Sequence, residues 1–289
     1  MKFSLKVIAL SALLSVSAVS YAGTSISAAI PAGQVLFSDN SAERFIDRNN
    51  NGTLDVGDSL RGIFGIDTIE SPQIAIGGNS PFNELTGIFQ TIVTAKVFVG
   101  NIGGIPRYDY TFGSDPAFVA EFGAGAGAVG LFFEDSANDF KRQGCATFAA
   151  CEATATGGNL WASFKVAGGL WKAASAAETP DVGALLPLGT PLGTFGVGLD
   201  FITNNTGYQW NQVDCKDPTN LLAPAIKVDF CGQGGILASG SVASGTPTPY
   251  AIFDNVDFTA NRVPEPGSIA LVGLALLGLG AAGRRSSKK

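Results

Sequence analysis

The stretch Thr86-Gly-Ile-Phe-Gln-Thr-Ile-Val-Thr-Ala-Lys-Val-Phe-Val99 decides the fold class. Its second half puts Val93, Ala95, Val97 and Val99 on one face and Thr94 and Lys96 on the other, the period of two that a half-buried strand requires. A second strand repeats the pattern, with Leu160, Ala162, Phe164 and Val166 expected to point inward and Trp161, Ser163 and Lys165 outward. Further candidate strands are Gly33 to Phe37, Arg107 to Phe112, Ala117 to Phe122, Val129 to Phe133, Thr194 to Phe201, Ala225 to Phe230, Gly235 to Val242 and Tyr250 to Phe258. Gly pairs at 103–104, 157–158, 168–169 and 234–235 break the runs. The expectation is an all-β fold, an antiparallel, jelly-roll-like β-sandwich forming one domain over residues 23–262. One short helix is expected, at Leu170 to Glu178.

Composition narrows the function. The chain has 289 residues, 46% of them apolar and 15% charged, and no histidine. The missing imidazole removes Ser-His-Asp and Cys-His nucleophile systems and every metal site that needs it. Residues 23–262 carry 23 acidic against 12 basic side chains, so no nucleic-acid partner is expected. Such a surface stays soluble and attracts divalent cations.

Both ends read as addresses. Residues 1–22 have the form of a secretory signal peptide: Lys2 and Lys6, an apolar run from Val7 to Val19, then Ser20-Tyr21-Ala22 as a cleavage site. At the other end stands Val263-Pro264-Glu265-Pro266, followed by an apolar run from Ser268 to Gly283 and the basic cluster Arg284, Arg285, Lys288 and Lys289. The run is short and Gly-rich for a permanent span, and the basic cluster would stay on the cytoplasmic side. This order of three elements over residues 263–289 resembles the PEP-CTERM sorting signal of Gram-negative, polysaccharide-producing bacteria. The resemblance implies transient insertion of a C-terminal sorting helix in the inner membrane. It also implies recognition of Pro264, Glu265 and Pro266 by an exosortase, and release to the cell surface or extracellular matrix. Two prolines hold such a strip extended and short of two backbone donors, which suits a protease groove.

Four cysteines in an exported chain are expected as two disulfides, Cys145 to Cys151 and Cys215 to Cys231 on spacing, though three pairings are open. The sharpest internal motif is Asp47-Arg-Asn-Asn-Asn-Gly-Thr-Leu-Asp-Val-Gly-Asp58. Its oxygen-bearing residues fit a 12-residue calcium loop: Asp47, Asn49 and Asn51 by side chain, Thr53 by its carbonyl, Asp55 directly or through water, and Asp58 last. The loop resembles that of EF-hand proteins, and more closely the dockerin variant with Asp at its twelfth position. The flanking helices and the second loop of those families have no counterpart here. One weak Ca²⁺ site is the expectation, against an Asn/Gly-rich turn without metal.

Tyr208 and Trp210 share one face of an extended, polar stretch and are candidate sugar-stacking residues. Pairs such as Glu134-Asp135, or Asp254 with Asp257, are too easily produced by chance to name a hydrolase. The sequence thus points to a non-enzymatic, exported surface or matrix protein, structural or adhesive in a biofilm or floc. The alternatives are an exopolysaccharide-binding module and, behind it, a secreted glycoside hydrolase.

Overall fold

The computed structural model describes residues 24–70, 73–78, 80–142, 144–178, 190–238, 252–264 and Leu274. The expected signal peptide and, but for Leu274, the apolar run Ser268 to Gly283 lie outside the described residues. So do Glu265, Pro266, Tyr250 and the end of the Gly235 to Val242 strand.

In chain order the strands are β1 (Gly33–Ile46), β2 (Ser59–Glu70), β3 (Ile74–Ala75), β4 (Glu84–Ile102) and β5 (Ile105–Ser114), then β6 (Ala128–Asp135) and β7 (Asn159–Ala177). They continue with β8 (Pro191–Asn204), β9 (Trp210–Asn211), β10 (Val213–Cys215), β11 (Ile226–Val228), β12 (Phe230–Ala238) and β13 (Ile252–Arg262). Two helices interrupt them, α1 (Pro116–Phe122) and α2 (Phe148–Ala155).

The expected sandwich is replaced by a closed antiparallel barrel of eight staves. Around the ring, β2 pairs with β1, β1 with β13, β13 with β12, β12 with β8, and β8 with β7. The next stave is shared: β5 lies along Thr91 to Ile102 of β4, and β6 along Glu84 to Phe89. Both also pair with β7, and α1 fills the excursion between them. The ladder between Ser59–Gly65 of β2 and Thr86–Ile92 of β4 then closes the ring. Sandwich and barrel share the same period-two patterning, and this non-local ladder separates them.

The closing seam works by shape. Gly62 stands opposite Phe89, and Phe64 opposite Gly87. A Cβ on Gly62 would lie 2.5 Å from the Phe89 ring, and one on Gly87 would lie 2.1 Å from the Phe64 ring. Each phenylalanine therefore lies over the bare backbone of its partner strand inside the barrel. On the outer face of the same seam Ile63 opposes Ile88, and Arg61 donates to Gln90 Oε1 at 2.8 Å. The interior is packed with Phe37, Phe64, Phe89, Tyr110, Phe132, Trp161, Phe164 and Phe230, many of them in ring-to-ring contact.

Several expectations fail for one reason, the β-bulge. The ladder of β4 with β5 shifts between Val93 and Ala95, so the alternation flips there. Val93 is buried, whereas Val97 and Val99 are 58% and 46% exposed. In β7 the ladder with β6 skips Trp161 between Leu160 and Ala162, so Trp161 turns into the interior with Ala162 and Phe164, and Leu160, expected inward, packs in the layer outside the barrel. Leu170 to Glu178, expected as a helix, continues β7 instead. Ala117 to Phe122, expected as a strand, is α1: Asp115 caps it by accepting from Ala117 N, Pro116 starts it, and Gly123 ends it in the left-handed region. α2 was missed as an element, whereas Ser59 to Thr68, which reads as a turn into a strand, lies within β2.

Both expected disulfides are present, Cys145–Cys151 at the start of α2 and Cys215–Cys231 joining β10 to β12. A second apolar layer outside the barrel gathers Ile63, Ile88, Phe118, Leu131, Cys151 and Phe253 under the helices.

Replacing Gly87 by Ala forces a methyl group into the Phe64 ring and the Leu131 carbonyl and should cost about 1–3 kcal/mol or more. Gly130, where a Cβ meets nothing closer than 3.8 Å, should accept Ala with no loss or a slight gain. Urea unfolding midpoints of the two variants check this, and equal effects at both positions would contradict it.

Candidate functional site

The start of the sorting sequence is held by the barrel itself. β13 ends at Arg262, and the next residue, Val263, donates its N–H to Gln209 O at 2.9 Å. Asn261 and Arg262 pair with Asn211 and Trp210 of β9. The Arg262 guanidinium lies 3.3 Å from the Tyr208 ring centroid and donates to Ile30 O. Tyr208 in turn donates its hydroxyl to Ser27 O at 2.8 Å, and Trp210 Nε1 donates to Thr206 Oγ1 at 3.0 Å. Trp210 packs on Phe37, Trp161, Phe201 and Phe230. The two rings singled out as sugar-stacking candidates thus clamp the strand that leads into Val263-Pro264, both of them half-buried.

The Asp47–Asp58 loop is a network of Asx-type turns. Asp47 accepts from the N–H groups of Asn50 and Gly52, Asn49 from that of Asn51, and Asn51 from that of Thr53. Asp58, 1% exposed, accepts from Arg48 N and Asp55 N. Lys96 Nζ reaches Asp55 Oδ1 at 2.6 Å and Glu178 Oε1 at 2.5 Å. The bond from Lys96, followed by that from Asn51, holds the Asp55 carboxyl well below its ordinary range. Asp55 Oδ2 accepts from Asn51 Nδ2 and Thr53 Oγ1, and Asp47, Asp55 and Asp58 do not bring their oxygens together within 4.8 Å.

Arg48 leaves that loop for the outer face, donating to Asp115 Oδ2 at 2.6 Å and Ser59 Oγ at 2.9 Å. Gln90 donates to the same Asp115 oxygen. Beyond Gln90, Arg61 is 5% exposed and donates to both oxygens of Glu121 on α1 and both of Glu152 on α2, at 2.7–2.8 Å. No sequence motif marked this network. Its one legible signal is an Arg at a position where β2 is otherwise apolar.

Inside the barrel three acids sit among aromatic rings: Asp39, Glu43 and Asp254, at 3%, 5% and 4% exposure. Glu43 and Asp254 are hydrogen-bonded to each other. Burial, then the charge of Asp254, raises Glu43 well above the usual carboxylate range, and the same two causes raise Asp39. Burial pushes Asp254 up to about 7, against the lowering effect of the Glu43 bond and of Arg142. Two cavities adjoin these groups, of about 50 Å³ beside Glu43, Tyr110 and Trp171, and about 30 Å³ beside Asp39, Ser41 and Asp254. Both fall well short of the ~150 Å³ that holds a benzene ring.

Two features lie on the outside. A cleft of about 690 Å³ runs over β1, β13 and β12 and is lined by Gln34, Gln212, Asp214, Gln233, Asp257 and Asn261. At the far end of β6, Glu84, Asp135 and Asp139 bring one oxygen each within 4.8 Å of one another, the only such trio among the described residues. Burial pushes Glu84 up to about 7, the N–H groups of Phe140 and Asp139 opposing it.

Comparison with known proteins agrees at the tail. The PEP-CTERM protein-sorting motif family matches residues 262–286, so the motif begins at the last residue of β13. No curated protein and no solved structure matches the chain. Among the described residues no helix is long and apolar enough to cross a membrane.

The interior acids set a pH dependence. Their folded-state values are raised, so between about pH 4 and 7 the folded chain binds more protons than the unfolded one, and stability falls as pH rises. Acids with lowered values, such as Asp115 and Glu121, act oppositely at the acid end. Urea midpoints should therefore peak near pH 5 and decline towards pH 8, and Glu43→Gln should flatten that decline. A profile rising from pH 5 to 8 would contradict the assignment.

Proposed function

We propose that this chain is a non-catalytic structural or adhesive module, exported and sorted by exosortase to the outer surface or the polysaccharide matrix of the cell. The export and sorting rest on the PEP-CTERM motif at residues 262–286. The observation that carries the reading is the junction: no linker separates the barrel from the motif. The last ladder bond, from Val263 N, is adjacent to Pro264, and the three residues Pro264 to Pro266 span at most about 11 Å. A protease reading that motif must work close to the end of the barrel, where the clamped strand fixes the position of Val263. What is released is then a body without a ragged end. Two disulfides and a sheet closed into a ring suit life outside the cell.

The interior cavities are too small for a sugar ring, so a carbohydrate would meet this body on its outer surface. A second reading, exopolysaccharide binding, is favoured by the amide- and carboxylate-lined cleft over β1, β13 and β12, because planar amides match sugar hydroxyl pairs. Affinity electrophoresis in a neutral-polysaccharide gel tests it. Retardation that Gln34→Ala with Gln233→Ala abolishes would support it, and unretarded migration would rule against it.

Glu265→Ala should leave uncut precursor in the cell fraction of an exosortase-bearing host, with the processed form reduced at least tenfold on an immunoblot. Tyr208→Ala, which frees the exit strand, should slow processing less, by several-fold. Normal processing of Glu265→Ala would overturn the sorting account.

A further inference from the structure

Three carboxylates meet at the end of β6 with nothing to balance them. Glu84 is the first residue of β4, Asp135 is the last of β6 and its direct partner in the ladder, and Asp139 follows in the loop towards α2. One oxygen of each lies within 4.8 Å of the others. Asp139 is exposed and Asp135 half-buried, but Glu84 is only 5% exposed. No ion pair among the described residues reaches any of the three.

Two buried oxygens of this region lack a hydrogen-bond partner. Glu84 Oε2 accepts from Phe140 N at 3.1 Å, while its Oε1 is fully buried and has no hydrogen-bond partner. Asn138 Oδ1, in the loop between Asp135 and Asp139, is also buried and unpartnered. Glu84 and Asn138 line one cleft of about 180 Å³ between the β3 region and that loop. Buried acceptors are rarely left without a donor, and adjacent like charges are costly at low dielectric. A cation satisfies both demands together.

We propose that Glu84, Asp135 and Asp139 form a binding site for one Ca²⁺-sized divalent cation that ties the loop Ser136–Phe140 to the start of β4. The donor set is all oxygen, which selects a hard ion. Oxygens on opposite sides of a Ca²⁺ ion at 2.3–2.6 Å stand about 4.6–5.2 Å apart, so three oxygens all within 4.8 Å of one another are close enough to share one ion. The contrast with the Asp47–Asp58 loop is physical: there the acceptors already hold Lys96 and backbone N–H groups, and here they hold too few.

Calcium titration calorimetry on the full chain tests the site, paired with thermal melts in 1 mM CaCl₂ and in chelator. The wild type should bind calcium and melt higher with it. Asp135→Asn with Asp139→Asn should weaken binding at least tenfold and remove the melting shift, while Asp55→Asn should leave both unchanged. If the double variant does not fold, Asp139→Asn alone, at an exposed position, should still weaken binding severalfold. The proposal fails if the wild type shows neither heat nor shift, if the Asp139 variants bind like the wild type, or if only Asp55→Asn loses binding.

Discussion

Two phenylalanines lying over two glycines hold the sheet in a ring. Phe64 over Gly87 and Phe89 over Gly62 let β2 and β4 approach without a side chain between ring and backbone. A sheet that failed to join there would expose two strand edges, and the interior aromatics would lose their fourth wall. Closure also defines what is inside. Asp39, Glu43 and Asp254 are buried because the ring is complete, and their raised proton affinity follows from that burial.

The outside of the same seam carries a complementary fastening. Arg61 grips one carboxylate from each helix, so the helices are pinned to the strand pair that closes the barrel. Through Gln90 and Asp115 the network reaches Arg48 and the Asn-rich loop. Of the two Arg61 pairs the one with Glu152 is buried, and breaking a buried pair typically costs about 3–5 kcal/mol because the remaining charge is left uncompensated. Two staves away from that seam, the Tyr208–Arg262 contact and the short β9 ladder fix the strand from which the sorting tail departs. Closure at one place and clamping at another thus make the body a rigid carrier for its own address.

Much of this was legible in the sequence. Period-two alternation found most of the strands, cysteine spacing found both disulfides, and the Val-Pro-Glu-Pro strip found the sorting signal. What stayed hidden was non-local or set by a single residue. The bulge after Val93 turns Val97 and Val99 outward, and no local pattern announces it. Asp115-Pro116 is a helix start, yet the apolar residues behind it suggested a strand. Tyr208 and Trp210 were recognised as a pair on an extended segment, but their partner, Arg262, lies more than fifty residues away in the chain. The trio Glu84, Asp135 and Asp139 has no sequence signature, since β4 and β6 meet only in the folded sheet.

Native-state hydrogen exchange on the full chain tests closure most directly. Amides in the ladder between residues 59–65 and 86–92 should exchange only with global unfolding, as slowly as those between β1 and β13. Rapid exchange of both segments by local opening, while the β1–β13 ladder stays protected, would mean that the ring is open and the sheet is not a barrel.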